Sequence, residues 1–124
     1  MTDFNPAAWR AFADAIGTQW VMRGDDDRKA YSDHYAQDES VHAPSGALAP
    51  ATADEVQAII RIANQYSVPL WPVSRGKNFG YGGSAPVMAG SVVLDMTRMK
   101  RIEVDEANGT VLVEPGVGFF DLYD

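Results

Sequence analysis

The chain has 124 residues, no cysteine, and 17 acidic against 10 basic residues, a formal charge of −7. That length suits about one domain around one core, and the missing cysteine removes disulfide scaffolds, thiolate metal sites and cysteine nucleophiles. The acidic balance argues against general nucleic-acid binding, which needs a basic face.

Asn5-Pro6 reads as a helix start, cap then first turn, and Trp9, Phe12, Ala13 and Ile16 follow at helical spacing up to a stop at Gly17. Trp20-Val21-Met22 is predicted as a short strand. Gly24 and three aspartates open a turn or short helix, and residues 31–45 form a polar connector. The aspartate run lacks the alternating ligands and terminal Glu of a calcium loop, so no metal site is expected. Gly46-Ala47-Leu48-Ala49-Pro50 is a short strand candidate. Thr52-Ala53-Asp54-Glu55 has the capping-box pattern, which starts a helix over residues 52–65 with Val56, Ile59, Ile60 and Ala63 as its buried stripe.

Strands are predicted over residues 70–74, with Pro72 implying a sheet edge or strand end, and over 91–95. A hairpin over 102–104 and 110–114 turns at Ala107-Asn108-Gly109. Phe119, Leu122 and Tyr123 begin an amphipathic helix that stops at Asp124 before two turns are complete. The chain is therefore expected to be part of something longer, or to pair with another chain. No signal-like leader and no bilayer-length apolar run is present, so the expectation is a cytoplasmic protein, with the periplasm left open and no membrane partner.

Charge singles out one region. Residues 56–94 contain no acid, yet include Arg61, Arg75 and Lys77. Within them, Ser74-Arg75-Gly76-Lys77-Asn78-Phe79-Gly80-Tyr81-Gly82-Gly83 holds four glycines in eight residues. Glycines allow positive φ and close backbone approach, and successive N–H groups form a nest for anions. A Walker loop fails, because Asn78 follows Gly76-Lys77 and Trp71 stands where its first glycine belongs. A dinucleotide fingerprint matches formally at Gly80, Gly82 and Ala85, but Pro86 leads to a strand and not a helix. Two readings remain: a strand–loop–strand pyrophosphate loop working through backbone N–H groups, and a surface turn with no ligand.

The order of helix, strand, glycine loop, strand, hairpin and Val113-Glu114-Pro115-Gly116 resembles the FAD-binding domain of the vanillyl-alcohol oxidase and p-cresol methylhydroxylase flavoprotein family, nearest its 4-alkylphenol oxidisers. The matching stretches include Pro69-Leu70-Trp71-Pro72-Val73-Ser74 and residues 76–86. The likeness covers about residues 46–124, with 1–45 as a helical segment and connector. It implies an α+β fold, the N-terminal part of a PCMH-type FAD-binding domain with a small mixed sheet and flanking helices.

The resemblance also implies FAD, with its pyrophosphate on Ser74, Arg75, Gly76, Lys77, Asn78, Gly80, Gly82 and Gly83, and Tyr81 as donor to a substrate phenolate. Asn78 stands where berberine-bridge-type relatives carry a flavin-linking histidine, so no covalent bond is expected from this loop. The implied partners are a phenolic substrate, a cap domain of the same enzyme, a cytochrome or oxygen as electron acceptor, and a second copy of the chain. The isolated chain is not expected to be active.

His34 and His42 could act as bases or assist flavin attachment; within a polar connector the simpler expectation is that both face solvent. Outside the phenol oxidisers, the open functions are a nucleotide- or anion-binding module without catalysis, and a same-fold flavoenzyme acting on a 2-hydroxy acid or sugar lactone.

Overall fold

A computed structural model describes residues 6–76 and 83–124. The first helix, α1 (Pro6–Ile16), ends where the Gly17 N–H reaches the Ala13 carbonyl at 2.8 Å, with Gly17 at φ +96°. The predicted cap Asn5 lies outside the described residues. A 3-10 turn (Thr18–Trp20) leads to β1 (Val21–Met22) and α2 (Asp25–Lys29), whose three leading acids face the positive end of the helix. The connector contains a second 3-10 turn (Glu39–His42), capped by Asp38 accepting from the Ser40 N–H.

After β2 (Gly46–Leu48), helix α3 (Ala53–Tyr66) begins with the predicted box. Thr52 Oγ1 accepts from the Glu55 N–H at 3.2 Å, while Glu55 Oε2 reaches one residue further back, to the Ala51 N–H. The helix ends at Ser67, held left-handed at φ 56°. Its buried stripe differs from expectation. Ile59 and Ala63 are buried with Val56, Ile62 and Tyr66 packed beside them, whereas Ile60 is 45% exposed. Ile62 and Tyr66 stand three and seven positions beyond Ile59 and share its face; Ile60 is rotated about 100° away.

Strands β3 (Leu70–Val73), β4 (Val92–Asp95), β5 (Ile102–Asp105) and β6 (Thr110–Val113) follow, then helix α4 (Phe119–Tyr123). The main sheet has the order β1-β2-β4-β3; β4 runs parallel to both β2 and β3, and β1 is antiparallel to β2. Pro72 thus lies on an edge strand, where its missing N–H costs little. Helices α1 and α3 pack on one face, and Trp9, Phe12, Ile16, Leu48, Ile59, Val92 and Leu94 belong to one buried cluster. By strand alternation Val93 faces the opposite side, where it too is fully buried. The fold is the expected mixed sheet with flanking helices.

The hairpin β5–β6 stands apart as a two-stranded sheet. Val104, Leu112, Phe119, Phe120 and Tyr123 are all strongly exposed.

Candidate functional site

Parallel pairing of β3 with β4 brings their carboxyl ends side by side, with Val73 opposite Asp95. Residues 74–91 connect the two strands, and no helix occurs in the described part of that connection. The carboxyl edge of parallel strands is where open α/β sheets bind ligands. Here the chain leaves β3 through Ser74, Arg75 and Gly76.

Of the predicted site residues, Ser74, Arg75 and Gly76 follow β3 directly, with Ser74 and Gly76 exposed and Arg75 half-buried, and Gly83 is exposed. Gly76 has φ +68°, a conformation that side-chain-bearing residues seldom adopt. Among the described residues, a Cβ on Gly83 would meet only the Ala85 nitrogen, at 3.9 Å. Lys77, Asn78, Gly80, Tyr81 and Gly82 lie outside the described residues.

Arg75 is placed differently from a free phosphate ligand. Its guanidinium donates to Asp121 Oδ2 at 3.1 Å and to the Gly116 carbonyl at 3.4 Å. It lies so close over Gly118 that a Cβ there would sit 3.1 Å from the guanidinium. Asp121 Oδ2 also accepts from the Gly118 N–H at 2.7 Å. That backbone bond holds the Asp121 carboxyl below the usual carboxylate range against desolvation, with the Arg75 and Lys100 charges as smaller contributions. The entrance of the glycine segment is thereby fastened to α4. Gly116 is required at the same corner, because a Cβ would lie 2.5–2.8 Å from the carbonyl oxygens of Thr97, Met99 and Met96.

The other end is also fastened. His42 Nδ1 lies 3.0 Å from the carbonyl oxygen of Pro86, and the ring is half-buried, not solvent-facing as expected. His34 is largely exposed, with Nδ1 3.9 Å from Glu39. At the β4 edge, Tyr31 donates its phenolic O–H to Asp95 Oδ2 at 2.6 Å, and Asp95 Oδ1 accepts from the Thr97 N–H. These partners are 44 to 64 residues apart and carry no local sequence signal, which is why sequence reasoning misses His42, Asp95 and Asp121.

Among the described residues no cluster of His, Cys, Asp or Glu could hold a metal ion, and no helix is long and apolar enough to cross a membrane. Two surface clefts, of about 400 and 510 Å³, lie along α2 with the connector and beside the end of α3. No described residue of 74–83 lines either, so the strand edge is the better candidate.

The family described as "FAD binding domain" matches residues 44–124, taking in both strands, the glycine segment and the hairpin. The chain belongs to that family. The 4-cresol dehydrogenase [hydroxylating] flavoprotein subunit of Pseudomonas putida is 44% identical over 86 residues, 68% of this chain and 16% of that protein. The 1'-carboxy-chondrochloren decarboxylase of Chondromyces crocatus is 40% identical over 111 residues, 89% of this chain and 20% of its own length. The crystal structure of p-cresol methylhydroxylase with substrate bound superposes with a TM-score of 0.89 at 36% identity, covering 95% of this chain and 23% of that one. A more distant relative is the glycolate oxidase subunit GlcD of Bacillus subtilis, 35% identical over 79 residues, 64% of this chain and 17% of that protein. The chain thus spans about a fifth of the length of these relatives. Its cofactor is FAD, its relatives include FAD-linked oxidoreductases, and its fold is that of the p-cresol methylhydroxylase FAD-binding domain.

The residues present suit that cofactor. The strand edge offers a positive-φ glycine in an acid-free stretch. Both nearby acids are engaged, Asp121 by Arg75 and Asp95 by Tyr31. On β3, Trp71 carries a buried indole N–H with no partner among the described residues, a donor still available on the strand that feeds the segment.

Proposed function

We propose that this chain belongs to a flavin-dependent oxidoreductase of 4-substituted phenols. The observation that carries the reading is the glycine segment at the carboxyl edge of two parallel strands, in a chain that resembles p-cresol methylhydroxylase over nearly its whole length. Backbone N–H groups of Ser74, Arg75, Gly76, Lys77, Asn78, Gly80, Gly82 and Gly83 seat the FAD pyrophosphate. The side chain of Arg75, committed to Asp121, contributes through its charge and by fixing the segment. Lys77 adds a further positive charge, and the absence of acids from residues 56–94 spares the phosphates repulsion.

Tyr81 donates a hydrogen bond to the substrate phenolate. A phenolate releases hydride from its para-alkyl carbon more readily than a phenol, so a donor aimed at its oxygen both favours the ionised form and orients the carbon. Bound flavin supplies the two-electron acceptor for that hydride. The electrons then pass to oxygen or a cytochrome, and a cap domain of the same enzyme closes over the substrate.

Replacing one such donor costs on the order of 10²-fold in kcat. Tyr81→Phe in the full encoded protein is therefore expected to lower kcat on 4-methylphenol or vanillyl alcohol by about that factor. Unchanged turnover would remove Tyr81 from the site. The second reading is oxidation of a 2-hydroxy acid, favoured by the likeness to a glycolate oxidase subunit; it predicts turnover of glycolate or lactate that Tyr81→Phe leaves untouched.

A further inference from the structure

We propose that His42 is a positioning residue for the FAD-binding segment, fixing the segment's exit by donating Nδ1–H to the carbonyl of Pro86. This rests on the reading that residues 74–83 seat the cofactor. A carbonyl oxygen can only accept, so the 3.0 Å contact assigns the proton to Nδ1. Pro86 is fully buried, and a buried carbonyl requires a partner. Proline has no N–H of its own, so ordinary strand pairing could anchor this residue only through that oxygen.

The surroundings show why a side chain is needed. The connector and the start of β4 are joined by three bonds: Gly90 N–H to the Ala43 carbonyl at 2.8 Å, Ser45 N–H to the Ser91 carbonyl at 3.0 Å, and Ser45 Oγ–H to the Gly90 carbonyl at 2.5 Å. Between Pro86 and Gly90 the chain bulges outward, with Val87 69% and Met88 57% exposed. The backbone bonds therefore end four residues beyond Pro86, and the imidazole bridges the interval from the 3-10 turn Glu39–His42. With Arg75 held by Asp121 at the entrance, His42 makes the segment fastened at both ends. Backbone donors already in place lose less entropy when they close on a phosphate. The histidine acts as a donor to a carbonyl rather than as a base.

Titration of the full-length apoprotein with FAD, followed by flavin fluorescence, tests this with His42→Ala, His42→Asn and His42→Gln. The amide nitrogen of Asn can occupy the position of Nδ1; that of Gln falls one methylene further out. Affinity is expected to fall about threefold to tenfold in the Ala and Gln variants, the loss of one hydrogen bond, and to return to within about twofold of wild type in Asn. Unchanged affinity in Ala, or an Asn variant no better than Gln, overturns the proposal. Should Ala fail to fold, the Asn–Gln comparison still decides. Gly82→Asp separates the underlying reading: it places a carboxylate within the segment, and intact FAD affinity there would mean that the seat is elsewhere and that His42 positions nothing for FAD.

Discussion

Tyr31 shows how one side chain ties the connector to the sheet edge. Its hydroxyl is half-buried against Asp95, and burial first, then the bond to that carboxylate and its charge, push its ionisation well above the ordinary tyrosine range. The folded protein thus keeps this proton at a pH where the unfolded chain has lost it. The resulting stabilisation is complete below about pH 10, the unfolded value, and fades as pH rises beyond it. Tyr31→Phe should cost about 1–2 kcal/mol at pH 7, because Asp95 loses a donor. It should also flatten the alkaline fall in the urea midpoint; an equally steep fall in the variant would assign that limb to other groups.

Gly116 makes a different point at the same scale. The predicted hairpin strand ends at Glu114, two residues before it, but the three carbonyls that would crowd a Cβ on Gly116 come from residues 96–99, and no pattern of neighbouring residues announces them.

At the scale of elements, helix periodicity and capping were readable and pairing was not. Helix α3 announces its start through Thr52 and Glu55, and α1 its end through Gly17, since those groups bond within a few residues. A run of two isoleucines does not say which faces inward; the packing of α1 against α3 selects Ile59 and Ile62 and leaves Ile60 outside. The insertion of β4 between β2 and β3, and the bonds from His42 to Pro86 and from Arg75 to Asp121, are long-range and left no trace in spacing. Composition marks the glycine segment as a candidate anion seat, while the bonds at its two ends carry no such mark.

The C-terminal cap of α3 offers a direct test of local strain. Ser67 adopts φ 56°, which disfavours any residue with a Cβ. Ser67→Gly is expected to raise stability by about 0.5–1 kcal/mol, read as a higher urea midpoint at unchanged m-value. A lower midpoint would mean that the serine makes a compensating bond.

Over the whole molecule, charge and apolar surface are divided. The acids lie on both sides of residues 56–94, and the exposed apolar side chains gather on β5–β6 and α4. Val104, Leu112, Phe119 and Phe120 are each more than two-thirds exposed. The family, the FAD cofactor and the fold agree with one another. The substrate is where the relatives diverge, between 4-cresol and glycolate oxidation. Anaerobic titration of the purified flavoprotein with 4-methylphenol, and separately with glycolate, distinguishes them through the visible absorbance of the oxidised flavin. Bleaching by stoichiometric 4-methylphenol and none by glycolate is the expected result; bleaching by glycolate alone, or a protein that carries no flavin, would contradict it.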